Sequence, residues 1–143
     1  MVKIYLNLII DEILRTLNIP KNITVTVQDN LPKIHGNAWR FKQVFQNLIQ
    51  NAITYNDKPE GKIEIGGKEM QQCYEFFVKD NGIGIAAHYF DRIFKVFTKL
   101  ESNTSSSGIG LSIVKKIVNY YDGKIWVESQ EGEGTTFFFT ISK

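Results

Sequence analysis

Six apolar residues, Phe41, Val44, Phe45, Leu48, Ile49 and Ala52, follow the pattern i, i+3, i+4, i+7, i+8, i+11 without a break. A stripe this continuous belongs to a helix lying on a core, because that face has to be removed from water. Beside it Gln43, Asn47, Asn51 and Thr54 recur every three or four residues and form a second, polar stripe, with Asn51 nearest the apolar border. Asn is a poor helix former, so two of them one turn apart inside a well-patterned helix call for a reason other than propensity.

The 143 residues are 43% hydrophobic and 13% aromatic, enough for one core and too few for two, so a single domain over residues 1–143 is expected. A net charge of +2 gives no dense basic field, and electrostatics do not indicate nucleic acid as a partner. The single cysteine, Cys73, has neither a disulfide partner nor a CxxC companion, which makes a reducing, cytoplasmic setting the default and a small buried or edge hydrophobe its expected role. Apolar runs such as Leu8 to Ile10 and Phe137 to Phe139 are far short of the roughly 18 residues that suggest a membrane span. No signal peptide is visible, so any membrane anchor would belong to a larger parent protein.

Along the chain, Leu6, Ile10, Ile13 and Leu17 predict an amphipathic helix over Met1 to Leu17, stopped by Pro20. Ile23 to Gln28 alternates as a strand, and Asn30, Pro32 and Gly36 read as a loop before the central helix. Strands are predicted at Lys62 to Ile65 and Tyr74 to Lys79, joined through Gly66 and Gly67. A short helical pattern passes through Tyr89, Phe90, Ile93 and Phe94, and a Ser-rich loop spans Lys99 to Ser107. The last helix is expected from about Gly110 to Tyr121, followed by strands at Lys124 to Ser129 and Thr135 to Ile141. The Phe137 to Phe139 run reads as a strand covered on both faces. The expected fold class is an α/β two-layer sandwich: a mixed, mostly antiparallel sheet with about three helices on one face.

Three segments carry the candidate chemistry. The amide oxygens of Asn47 and Asn51 suit Mg²⁺, a hard cation usually completed by substrate phosphates; read alone, both could simply face solvent or a neighbouring loop. In Asp80-Asn81-Gly82-Ile83-Gly84-Ile85 the glycines permit close backbone approach. The Asp80 carboxylate could accept a hydrogen bond from the adenine amine while repelling the oxygen that guanine presents there; read alone, the segment could be a tight turn. Ser107-Gly108-Ile109-Gly110-Leu111 opens a helix, where unpaired N–H groups and the helix dipole favour phosphate, although a plain cap reads the same way. The third glycine of a dinucleotide fingerprint is missing and no GxxxxGK[ST] loop occurs, so Rossmann and P-loop readings fail. His35 and His88 lack partners at metal or triad spacing and read as surface residues.

In this order and at these intervals the segments resemble the catalytic, ATP-binding domain of sensor histidine kinases, a branch of the superfamily that includes gyrase B and the Hsp90 chaperones. QVFQNLIQNAITYN at Gln43 to Asn56 looks like the N box, DNGIGI at Asp80 to Ile85 like the first glycine box, Phe94 to Phe97 like the F box, and SGIGLSIVKKIV at Ser107 to Val118 like the second glycine box. The tail from Gly123 to Ile141 matches as well. The resemblance implies that Asn51 ligates Mg²⁺, Asn47 supports the phosphate side, Tyr55 packs by the adenine and Asp80 binds its amine. It also implies that Gly82, Gly84, Gly108, Ile109, Gly110 and Leu111 line the ATP pocket. Lys95 to Ser107 would be a mobile ATP lid, with Lys99 reaching the phosphates. Two departures stand out: Thr54, where the family usually has a phosphate-contacting Lys, and Asn37, where Asp is common and the consequence is expected to be structural.

The same resemblance implies a γ-phosphoryl transfer to a histidine on a separate two-helix dimerisation domain, in a homodimeric parent with a response regulator downstream. Neither His35-Gly36 nor His88-Tyr89 has the acidic neighbour of such a phosphoacceptor, so no catalytic histidine is expected here, and the chain reads as the catalytic half of a longer protein. Asn47 stands where hydrolases and anti-sigma serine kinases of the superfamily commonly carry Glu, and an amide cannot take a proton as a general base. The alternatives are a stand-alone serine kinase of the anti-sigma type, or a module that binds ATP and transfers nothing.

Overall fold

A computed structural model describes residues 2–90, 93 and 108–143. The elements run β1 (Val2–Ile4), α1 (Leu6–Thr16), β2 (Ile23–Val27), β3 (Ile34–Gly36), α2 (Ala38–Thr54), β4 (Gly61–Glu69) and β5 (Cys73–Asp80). A 3-10 turn at Ala87–Tyr89, α3 (Gly108–Tyr120), β6 (Ile125–Gln130) and β7 (Gly134–Ser142) follow among the described residues. Five strands form a mixed sheet in the order β2-β4-β5-β7-β6, with β2 and β4 parallel and the other pairs antiparallel. The three α-helices pack on one face of it, which is the two-layer α/β sandwich that the patterning predicts.

The central helix forms where the stripe places it. Asn37 caps it, its Oδ1 accepting from the backbone N–H groups of Trp39 (2.9 Å) and Arg40 (3.3 Å), so the Asn found there does the structural work expected of that position. All six stripe residues are buried. Phe45 lies at the centre of the core, with its ring centroid 5.9 Å from Phe76 on β5 and 5.4 Å from Phe139 on β7, both edge-on. Phe76 and Phe139 are themselves direct cross-strand partners. At the start of α2, Phe41 stacks on Tyr121 just beyond α3, which ties the two helices together.

Several expectations change. Val2–Ile4 is a strand and the helix starts only at Leu6, because Val2, Lys3 and Ile4 pair antiparallel with Gly36, His35 and Ile34 in the segment read as a loop. A three-residue strand carries no periodicity of its own and needs its partner. Gly66 and Gly67 lie within β4 and do not form a turn: a Cβ at Gly66 would come within 2.5 Å of the Phe77 ring, and one at Gly67 would collide with Phe76. The glycines make room for aromatic rings on the neighbouring strand. Within the described residues the last helix covers Gly108–Tyr120, and the pattern at Tyr89 to Phe94 appears there as the 3-10 turn.

The Phe137 to Phe139 run is also not covered on both faces by described elements. Phe137 and Phe139 point into the core, whereas Phe138 lies on the opposite face, stacked on Trp126 (5.3 Å, 10°) and beside Phe77 (6.3 Å). Cross-strand aromatic neighbours shield it in place of a second layer.

Gly67→Ala is expected to lower stability by about 2 kcal/mol, since its methyl would press on a fully buried ring. Gly132→Ala, with open space around its Cβ but a φ of 80°, should cost about 1 kcal/mol from the backbone alone. Urea unfolding of both variants checks the order.

Candidate functional site

Strand alternation and helical periodicity meet at one end of the core. On β5, Phe76, Val78 and Asp80 share the face that looks towards the helices, so the register that buries the Phe76 ring also brings the Asp80 side chain under α2. On α2, Asn51 and Tyr55 lie one turn apart at the C-terminal end of the polar stripe. Asp80 is the cross-strand partner of Thr135, the second residue of β7. The result is a pocket lined by Asn51, Tyr55, Asp80, Ile83, Gly84, Ile85, Thr135 and Phe137.

Asp80 is held by one oxygen. The backbone N–H groups of Gly82 (2.8 Å) and Thr135 (3.3 Å) both donate to Oδ1, and Oδ2 accepts no hydrogen bond among the described residues. Burial raises its pKa to about 6, against the opposing pull of those two amides and of the Lys58 charge.

The turn after β5 is pinned from two sides. From the α2 side, the Tyr55 carbonyl accepts from Ile83 N–H (3.0 Å), and Asn56 Nδ2 donates to Asn81 Oδ1 (2.9 Å). From the β6–β7 side, Gly132 N–H donates to the Ile83 carbonyl (2.7 Å), and Ile85 N–H donates to Ser129 Oγ (2.7 Å). The glycines are required by this closeness. A Cβ at Gly82 would come 2.5 Å from the Tyr55 carbonyl oxygen, and Gly84 adopts a φ of 76° with its α-carbon against the backbone of Gln130.

Asn47 sits one turn before Asn51 and faces the start of α3. Its Nδ2 donates to the Gln43 carbonyl (2.9 Å), and its Oδ1 is 3.1 Å from where a Cβ on Gly110 would lie. Gly108 and Ile109 open α3 beside it, and Leu111 packs against the core. Thr54 turns its hydroxyl to Gln50 Nε2 (3.1 Å), one turn back along α2. Lys99, the F box and the expected lid lie outside the described residues. His35 and His88 are exposed, as expected.

Of the predicted positions, Asn51, Tyr55, Asp80 and Gly84 come together around the pocket, Gly82 holds Asp80 through its N–H, and Asn47 and Gly110 meet beside it. Sequence reasoning missed Ile83, Ile85, Thr135 and Phe137 as lining residues. The alternation of Thr135, Phe137 and Phe139 on β7 carries that information, but only once the pairing of Asp80 with Thr135 is known.

The family described as histidine kinase-, DNA gyrase B-, and HSP90-like ATPase matches residues 36–143, taking in α2, both glycine segments and the closing strands. The chain belongs to this family. Cyanobacterial phytochrome A of Nostoc sp. is 44% identical over 122 residues, covering 84% of this chain and 16% of the relative. The methanogenesis regulatory histidine kinase FilI of Methanothrix harundinacea is 35% identical, covering 85% of this chain and 14% of the relative. The chain thus spans about a sixth of the length of these relatives. Among solved structures, the catalytic domain of histidine kinase ThkA superposes with a TM-score of 0.80 at 31% identity, covering 99% of this chain and 95% of that one. ThkA in complex with response regulator protein TrrA superposes with a TM-score of 0.76 at 30% identity, covering 99% of this chain and 41% of that one. The two-layer histidine kinase ATPase fold and its two-component relatives are therefore established for this chain. Among the described residues, no helix is long and apolar enough to cross a membrane.

The raised Asp80 pKa has a thermodynamic consequence. An Asp that titrates at 3.8 when unfolded and at about 6 when folded makes the folded state bind more protons between those values, so stability falls as pH rises through that window. Above it, the folded state carries a cost on the order of 2–3 kcal/mol for keeping the carboxylate charged. Asp80→Asn keeps an acceptor for Gly82 and Thr135 and removes the charge. It is expected to be more stable than the parent at pH 7.5 and no more stable at about pH 4, as read by urea unfolding at the two pH values.

Proposed function

We propose that the pocket binds Mg-ATP and that the domain donates the γ-phosphoryl group to a histidine on a separate dimerisation domain of the parent protein. The observation that carries this reading is the Asp80 carboxylate, fixed through Oδ1 by two backbone amides and left with Oδ2 as an acceptor beside a partly apolar pocket. A flat ring with an exocyclic amine fits that combination. The amine donates to Oδ2, the ring lies against Tyr55, Ile83 and Phe137, and a purine with oxygen in that place meets a negative charge. Gly82 and Gly84 bring backbone up to the ring where side chains would collide with the surrounding chain.

The phosphates would extend along α2 towards Asn47 and the opening turn of α3, with Gly108, Ile109, Gly110 and Leu111 on that side. Unpaired N–H groups at a helix start favour anionic oxygen. The donor set also fits a divalent cation: no group of three or more His, Cys, Asp or Glu among the described residues could hold a metal, so an ion here depends on phosphate oxygens together with an amide such as that of Asn51. When bound, Mg²⁺ neutralises charge on the phosphates. Lys99 is proposed to reach them from the lid.

This chain's own residues position and orient without forming a covalent bond, as expected for phosphoryl transfer. Asn47 cannot accept a proton, so the attacking nucleophile must be activated outside this chain, which favours transfer over hydrolysis. A homodimeric parent and a response regulator as the next acceptor complete the proposal. The regulator is supported by the kinship to ThkA, which has been solved with one.

Incubating the domain with the parent's dimerisation segment and [γ-³²P]ATP is expected to give acid-labile phosphate on histidine. Acid-stable phosphate on a serine-bearing partner would make it an anti-sigma-type kinase, and no transfer despite binding would make it a nucleotide sensor. Asn51→Asp, which adds a charge beside the phosphates, should slow transfer by about tenfold or more, equivalent to ~1.4 kcal/mol. Unchanged transfer in that variant removes Asn51 from the metal site.

A further inference from the structure

Lys58 lies in the connection between α2 and β4, and its backbone is fixed on both sides. Its N–H donates to Asn56 Oδ1 (3.0 Å), and its carbonyl accepts from Asn22 Nδ2 (3.0 Å). Asn56 is locked in turn to Asn81, whose Oδ1 also accepts from Lys62 N–H (2.8 Å) and whose Nδ2 donates to the Glu60 carbonyl (3.0 Å). A lysine stem is long and has many rotamers, so an ordered ammonium needs such a frame. Here Nζ donates to the Gly82 carbonyl (3.1 Å) and pairs with Asp57 (2.8 Å), with the side chain 29% exposed.

Gly82 is also the residue whose N–H holds Asp80 Oδ1. The ammonium therefore grips the carbonyl of the residue that grips the carboxylate. Around Asp80, α2 presents Asn51 and the titratable Tyr55, β7 presents Thr135 and Phe137, the following turn presents Ile83 and Ile85, and Ile63 is its neighbour on β4. Among the described residues, Lys58 is the charged group whose field reaches Asp80, and it favours the ionised form against burial.

We propose that Lys58 is a positioning residue for the base of the nucleotide: it holds the Asp80 to Gly82 turn so that Oδ2 meets the ligand as a charged acceptor. The proposal rests on the adenine reading of the pocket. It identifies a second residue, seven positions beyond Asn51 on the α2–β4 connection, that sets how well an amine-bearing purine is told from others.

Titrating Mg-ADP by calorimetry from about pH 5 to about pH 8 into the wild-type domain, Lys58→Met and Lys58→Arg tests it, with thermal melts to confirm folding. The ligand's own titration is common to all three, so the differences between them carry the result. Lys58→Met is expected to bind about three- to tenfold more weakly at neutral pH, the usual worth of one hydrogen bond. Its affinity should also need a higher pH to reach its plateau, and Lys58→Arg should restore both. Unchanged affinity, or weaker affinity with an unmoved pH profile as a merely structural role would give, overturns the proposal. Failure of the wild-type domain to bind Mg-ADP at any pH would instead overturn the adenine reading, so the two failures are distinguishable.

Discussion

The contact on which the rest depends is Phe45 of α2 set against the paired rings of Phe76 and Phe139. It joins two periodicities that are otherwise independent, 3.6 residues along the helix and two along each strand. Once Phe45 is seated, neither α2 nor β5 can rotate or slip without exposing a ring, because a shift of one residue in a strand would turn its whole buried set outward. The same lock determines which polar groups meet beyond the rings. Asn51 and Tyr55 are carried to the end of the core by the helix, and Asp80 by the strand. The site is a consequence of how the core packs.

Around that fixed core the turn after β5 is held by many weak bonds. The carbonyl of Tyr55, the N–H of Gly132, the hydroxyl of Ser129 and the amides of Asn56 and Asn81 all converge on five or six residues. No single bond there is worth more than about 1 kcal/mol. Together they keep a carboxylate in a place where burial disfavours its charge. Asp80 thus works against folding at neutral pH, the pattern expected when a residue is kept for binding and stability is supplied elsewhere. The apolar core, with Phe41, Phe45, Phe76 and Phe139 fully buried, offsets it.

The open face of the sheet answers a different requirement. Trp126, Phe138 and Phe77 lie across three adjacent strands and shield one another, with no covering layer among the described residues. A run of three phenylalanines on β7 therefore reports two environments, the two outer rings in the core and the middle one in this surface stack.

The helix α2, its buried face and its polar stripe were legible in the sequence because helical periodicity is local and seventeen residues long. The order of the glycine segments was legible too, since a close backbone approach leaves only small residues possible. What the sequence could not reveal were features that exist only as pairs. Val2–Ile4 is a strand because Ile34–Gly36 lies beside it, and Gly66 and Gly67 are in a strand because Phe77 and Phe76 need the room. Thr135 and Phe137 line the pocket because β7 pairs with β5 in one register. The chain by itself determined which residue types could hold an adenine nucleotide and in what order they come. The tertiary structure alone decided that Asp80 is bound through one oxygen, and that Lys58, unremarkable in sequence, stands behind it, because both depend on backbone groups far apart along the chain being brought within hydrogen-bonding distance.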